Sequence, residues 1–272
     1  MKLKLIFCFI FCTWHTLLTA HTIVQNTDPI SLGMGGTFVS LPDNSYGCGN
    51  QALFSKINTI SIATSYQNSF LTKELSTGNF SIVFPTKFIH VGVHTKFFGF
   101  SNYNEWNTGI SFSKMFAKKI MIGIEIDFLS VDAPINEKRP FAIIPQMGFL
   151  FNPYKNLFIG FHAYNFSFSK LNNNLLIAPS FNFGISNKFN KKFILAGQIN
   201  KTIKEKISGN IGLEYVLQKH FFVRTGIGFF PIINTFGTGF EWDNFKIDLA
   251  IQYHYQLATI NSSIGIKYSF GK

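Results

Sequence analysis

The sequence holds seven histidines and thirteen carboxylates, and their spacing limits the chemistry open to them. His90 and His94 are four residues apart. On one face of a strand that spacing is roughly 13 Å, too far for the pair to share an ion, so no metal is expected there. Gly33-Met34-Gly35-Gly36 is glycine-rich. It follows no buried strand and opens no strand–helix–strand unit, so it is not a phosphate loop. No Gly-x-Ser-x-Gly elbow and no His-Glu-x-x-His helix occurs, so nucleophilic and zinc-hydrolase chemistry lack their usual carriers. The expectation is a non-enzyme with no cofactor and no catalytic residue.

What remains is a set of polar residues at alternating positions within apolar segments. His90, His94, Lys96, His162, Arg224, Lys246 and His254 are the basic and imidazole members. Glu125, Asp127, Glu214, Glu241 and Asp248 are the acidic ones, and Gln252 belongs with them. If the segments are strands, all thirteen point to one side. Inward charges of this kind form a ladder of ion pairs and hydrogen bonds, and rings of charge set selectivity in pores.

The segment Phe245 to Leu257 shows why strands are expected. Phe245, Ile247, Leu249, Ile251, Tyr253, Tyr255 and Leu257 alternate with Lys246, Asp248, Ala250, Gln252, His254 and Gln256. A strand turns successive side chains to opposite faces, so this stretch has one apolar face and one wet face. Its length suits a tilted strand crossing a bilayer, roughly 9–11 residues. Ile120 to Phe128 repeats the pattern, with Ile120, Ile122, Ile124, Ile126 and Phe128 against Met121, Gly123, Glu125 and Asp127. About fourteen such segments run from Asn58 to the end, and bacterial single-chain barrels need an even number. Composition agrees. The chain is 46% hydrophobic, 17% aromatic and only 14% charged, against roughly 25% charged in soluble domains. It has no long apolar run beyond its start, and alternation supplies apolar content without such runs.

Residues 1–20 read as a signal peptide: Lys2 and Lys4, an apolar Leu5–Phe11 core, then Leu17-Leu18-Thr19-Ala20. Cys8 and Cys12 lack the small residue that precedes a lipidated cysteine. Cleavage after about Ala20 leaves Cys48 alone, so no internal disulfide is possible. Removing Lys2 and Lys4 from 24 basic residues leaves 22 against 13 acidic, a net charge of +9. The excess is scattered Lys with no nucleic-acid-binding motif, so nucleic acid is not an expected partner. Anionic lipid headgroups are.

The connections alternate in length. Pro85-Thr86-Lys87, Ala117-Lys118-Lys119 and Asp243-Asn244 are short; Gln67 to Thr77, Gly99 to Glu105, Leu129 to Pro140 and Ser169 to Asn174 are longer. Outer-membrane barrels have short periplasmic turns and longer external loops. Several segments also place Gly a few residues beyond the short turn: Gly92, Gly123, Gly160, Gly197 and Gly226. The last strand ends at Phe270, which suits recognition by outer-membrane assembly machinery. Residues 21–55 show no sustained alternation and read as a turn-rich plug or cap, with a short helix possible after Asp43. The expected fold class is therefore all-β: a transmembrane antiparallel β-barrel of about fourteen strands over residues 56–272, with a small N-terminal plug segment at 21–55.

Gly33-Met34-Gly35-Gly36-Thr37-Phe38-Val39-Ser40, then Asp43-Asn44, then Asn50-Gln51-Ala52-Leu53 resembles the N-terminal segment of FadL-type barrels and of the PorV/PorQ-like branch of Bacteroidetes. Gln51 stands where that pattern usually has Pro. The resemblance implies a fourteen-stranded barrel in the outer membrane of a Gram-negative bacterium. It implies a plug or gate carried by Gly33, Met34, Gly35, Gly36, Asp43 and Asn50. FadL-type proteins move hydrophobic compounds, and PorV and PorQ serve type IX secretion. The implied roles are a channel for small, hydrophobic solutes or, as the alternative, a scaffold that meets secretion-system components.

Overall fold

The computed structural model describes residues 28–42, 46, 49–134, 139–172, 175–190 and 192–271. The signal-peptide reading, Asp43 and Cys48 lie outside them. No helix among the described residues is long and apolar enough to cross a membrane; the chain is built of strands. They are β1 (Ser61–Asn68), β2 (Ser76–Pro85), β3 (His90–Phe100), β4 (Tyr103–Phe116), β5 (Ile120–Asp132), β6 (Phe141–Tyr154), β7 (Leu157–Tyr164), β8 (Lys170–Leu171) and β9 (Leu175–Leu176). Then follow β10 (Ser180–Phe189), β11 (Phe193–Thr202), β12 (Ser208–Gln218), β13 (Phe221–Phe229), β14 (Ile233–Trp242), β15 (Phe245–His254) and β16 (Thr259–Ser269). Fourteen of these, all but β8 and β9, form one closed antiparallel barrel, each paired with its sequence neighbour and β1 with β16. Closure removes the sheet edges. The backbone groups of the wall pair along a continuous ring of ladders, as a wall in lipid requires.

Alternation sets which way each residue faces. In β15 the apolar members Phe245, Ile247, Leu249, Ile251 and Tyr253 are exposed on the outer surface, while Asp248, Ala250 and Gln252 are buried within. In β5, Ile122, Ile124, Ile126 and Phe128 are outside, and Met121, Glu125 and Asp127 inside. An outer face this continuously apolar belongs in lipid. Ile124→Arg is expected to cost about 2–4 kcal/mol if the residue lies near the midplane. Equilibrium urea unfolding in lipid vesicles measures it, and a loss under about 0.5 kcal/mol would place Ile124 outside the hydrocarbon band.

Two details differ from the sequence reading. The anticipated loop Gly99 to Glu105 is mostly strand: β3 and β4 run on through Phe100 and Tyr103, leaving a turn at Ser101-Asn102. Gly99, with φ of 104°, absorbs the bend. Conversely, β7 stops at Tyr164 and β10 starts at Ser180. Leu175-Leu176 belongs to a small β8–β9 hairpin, not to the barrel. Asn165 makes this switch. Its Nδ2 donates to the carbonyls of Ser169 and Ile177, at 3.1 and 2.6 Å, and Pro179 cannot donate to a ladder.

The N-terminal stretch lies inside the ring. Pro29–Gly33 forms one helical turn, α1, whose first turn is capped by Asp28 Oδ1 accepting from Ser31 N at 2.7 Å. Gln51–Lys56 forms a 3-10 turn capped by Asn50. Both turns are packed against the inner wall and are almost wholly buried.

Candidate functional site: the lumen and its inner segment

The wall is shaped to receive this segment. A Cβ added at Gly226 would strike Gly35 N and stand 2.5 Å from the Met34 carbonyl carbon. At Gly123 it would stand 2.5 Å from the Gln51 carbonyl carbon, and at Gly92 2.7 Å from the Phe54 ring. At Gly160 it would strike the Val39 carbonyl oxygen. Four of the five glycines that recur after the short turns are thus seats for the inner segment. The fifth, Gly197, has nothing within 4 Å of such a Cβ and lies on the outer face of β11. The sequence showed the recurrence but not its reason, because the partners are between 38 (Gly92 to Phe54) and 191 (Gly226 to Gly35) residues away.

Gly35 and Gly36 adopt φ of 72° and 88°, values that only glycine takes without strain. That conformation aims main-chain groups of the segment outward at the wall. Gly35 N donates to Thr235 Oγ1 at 2.9 Å, and Thr235 Oγ1 donates to Gly33 O at 2.9 Å. Asn210 Nδ2 donates to Gly35 O. Gln198 Oε1 accepts from both Phe38 N and Val39 N, at 2.9 and 3.0 Å. Asn50 Nδ2 donates to Val39 O at 2.7 Å and to Phe149 O in the wall at 3.1 Å. Gln51, which replaces the usual Pro of the resembling pattern, donates through Nε2 to Glu125 Oε1 at 2.9 Å. A proline could not make that bond.

The thirteen polar residues lie at inner-face positions of their strands, and eight of them form two separate clusters. In the first, Arg224 is fully buried. Its Nε meets Glu214 Oε2 at 2.7 Å and its Nη1 meets Asp248 Oδ1 at 2.6 Å. Tyr46 of the inner segment donates to Asp248 Oδ2 at 2.6 Å, which ties segment and wall together. In the second, Gln146 Nε2 donates to Glu125 Oε1 at 2.9 Å and to Asp127 Oδ2 at 2.6 Å. Asn107 Nδ2 also donates to Asp127 Oδ2, at 3.1 Å. His94 stands over this pair, with Nδ1 3.6 Å from Glu125 Oε2 and Nε2 3.9 Å from Asp127 Oδ1. Lys96 lies on the same face, near enough for its charge to bear on both carboxylates. His162 Nε2 is 3.1 Å from Gln146 Oε1.

The remaining members sit toward the ends. Lys246 and Glu241 approach to 4.0 Å near the short turns. At the other end His254 contacts Gln252 and Asn261, each at 3.0 Å. His90 is only half-buried, near the short-turn rim. Sequence reasoning singled out charges and imidazoles but passed over Tyr46, Gln146, Gln198, Asn210 and Thr235. The wall members of that group lie at the same parity as the charges, so period-2 counting was the available signal.

Two cavities flank the inner segment. One, of about 320 Å³, opens at the long-loop end and is floored by Gly36, Phe38 and Gly49. Its sides carry Phe70, Phe229 and Phe230 among the carboxamides of Gln67, Asn182, Gln198, Asn200, Gln252 and Asn261. The other, of about 310 Å³, lies at the short-turn end between Pro42, Leu53 and Lys56 and the ends of β14, β15 and β16. The inner segment stands between them.

No protein-family model matches the sequence, and no curated protein matches it. Solved structures do. The Pseudomonas putida toluene transporter TodX is 13% identical, with a TM-score of 0.68 over 92% of this chain and all of TodX (100%). The Ralstonia pickettii toluene transporter TbuX is 10% identical, with a TM-score of 0.67 over 91% of this chain and 99% of its own. A Pseudomonas aeruginosa FadL homologue is 11% identical, with a TM-score of 0.61 over 90% and 98%. At such identities the likeness is one of fold: this chain has the barrel architecture of those outer-membrane proteins.

Proposed function

We propose that this protein is an outer-membrane channel for small solutes, gated by its N-terminal segment. The observation that carries the reading is the pair of cavities on either side of that segment. A solute enters from the long-loop end, rests on Gly36 and Phe38, and passes when the segment shifts. The Asn210, Thr235, Gln198 and Asn50 bonds are among those that must break. The solute class is small and hydrophobic, with tolerance for one polar group. Phe38, Phe70, Phe229 and Phe230 offer ring faces, and the carboxamides offer donors and acceptors. An apolar cavity of about 150 Å³ holds benzene, so the outer cavity has room for a substituted ring. TodX, described as a monoaromatic hydrocarbon channel, and TbuX, described as a toluene transporter, lend this class support. Export by a signal peptide and insertion through the C-terminal strand complete the reading.

The many bonds holding the segment favour a second reading, in which the barrel is a closed scaffold or attachment component of a secretion or surface-assembly system. Single-channel recording and liposome swelling decide between them, on the mature chain and on one lacking residues 21–55. A gated channel is expected to be nearly silent when intact and to conduct freely after deletion. Uptake of a small aromatic solute by the intact form supports transport. No solute passage by the intact form, whatever the deletion does, would leave the scaffold. Equal conductance of the two forms would remove the gate.

A further inference from the structure

We propose that His94, Glu125 and Asp127 form a binding site for a divalent transition-metal ion within the wall. His94 stands on β3, and Glu125 and Asp127 stand two residues apart on β5, with β4 between. His94 and Asp127 both pair with Gly109 of β4 and so share one row across the sheet, while Glu125, paired with Ser111, lies in the next row. A side chain at Gly109 would separate them: a Cβ there would strike Asp127 Oδ1 and His94 Cε1. Glycine at this position lets the imidazole and the carboxylates converge over the β4 backbone.

The groups are buried, with 4%, 3% and 0% of their surfaces exposed, yet they are not satisfied. His94 Nε2, Glu125 Oε2 and Asp127 Oδ1 have no hydrogen-bond partner among the described residues, and neither does Ser111 Oγ, whose residue pairs with Glu125 across the strands. Buried polar atoms left unpaired are costly, and here they face one another. One ligand atom from each of the three residues lies within 4.8 Å of the others. Ligands bound at about 2.0–2.2 Å to one ion stand about 3–4 Å apart. His94 Nδ1 is 3.6 Å from Glu125 Oε2 and Nε2 is 3.9 Å from Asp127 Oδ1, so an ion on either ring nitrogen has one carboxylate already at ligand spacing and draws in the other from within 4.8 Å. A proton on His94 is the competing occupant. A charge-assisted N–H to carboxylate bond is about 2.7–2.9 Å long, and neither contact is that short. One imidazole with two carboxylates suits a borderline ion such as zinc, and suits manganese or iron less selectively. The outer oxygens are already positioned: Gln51 and Gln146 hold Glu125 Oε1, while Gln146 and Asn107 hold Asp127 Oδ2. Such support is what orients metal-ligating carboxylates. The ion would tie β3 to β5 across β4, beside the seat of Gln51.

Zinc is the probe. Full mature protein, folded in detergent and stripped with a chelator, is titrated with Zn²⁺ by calorimetry, and its retained metal is counted after desalting. One equivalent is expected, with affinity falling at least tenfold in His94→Gln and Asp127→Asn. Cys48→Ser should leave binding unchanged. Heat-modifiable gel migration checks that each variant is folded. Should a variant fail to fold, the intact protein still decides: metal should raise its unfolding temperature and chelator should reverse that. No stoichiometric binding to the intact protein, or unchanged binding in both folded variants, would overturn the site in favour of a proton-linked cluster.

Discussion

Arg224→Met lowers the stability of the folded barrel by about 3–5 kcal/mol, the range for removing one partner from a buried ionic group. Arg224 is wholly buried and holds Glu214 and Asp248 at 2.7 and 2.6 Å. Met fills similar volume but leaves two carboxylates facing each other in a lumen wall packed against the inner segment. The Tyr46 hydroxyl remains, on Asp248 Oδ2. The guanidinium also leans on its surroundings: Nη1 would stand 3.0 Å from a Cβ at Gly239, so glycine there makes room for it. Equilibrium urea unfolding in detergent or vesicles measures the loss. The triple variant Arg224→Met, Glu214→Gln, Asp248→Asn should regain a large part of it, because the unpaired charges are gone. A loss under about 1 kcal/mol for the single variant would mean that the cluster is hydrated and behaves as a surface pair.

The second large effect separates the wall from what it encloses. Gly226→Val is expected to unseat the inner segment while leaving the barrel closed. Its new side chain meets the main chain of Met34 and Gly35, which has no rotamer with which to yield. Overpacking of this kind costs about 1–3 kcal/mol, and the cheapest relief is for the segment to leave its seat. The variant should still show heat-modifiable migration, yet conduct where the parent does not, and the Gly33–Val39 stretch should become open to protease. Gly197→Val is the matched control. Its Cβ meets nothing within 4 Å, and its face is the outer one, so it should behave as the parent. Identical behaviour of the two variants would show that the seat does not hold the segment.

Much of this was legible in the sequence, and the reasons are physical. A wall that meets apolar surroundings on one side and polar groups on the other must alternate, so the parity of Ile124 against Glu125, or of Ile251 against Gln252, reads directly from the chain. Closure, strand number and the inward set follow from repetition of that local rule. Strand ends did not follow, since Phe100 and Tyr103 continue a ladder that Gly99 and Asn102 argue against locally. Nor did the contacts of the inner segment, which depend on register over distances such as Gly35 to Thr235. The sequence offered His90 with His94 as the pair to test for metal. The structure instead sets His94 against Glu125 and Asp127, because two registers and the gap at Gly109 decide that meeting.

The inner segment precedes β1 in the chain, yet it lies within a ring whose last joint is made between β1 and β16. Residues 57–60 carry it into β1 at the short-turn rim, a link of four residues that keeps the segment close to the seam. The simplest order of events is that the staves are laid against it and the seam closes last. On that order the segment is a template as well as a stopper, and the glycine recesses at 92, 123, 160 and 226 follow its outline.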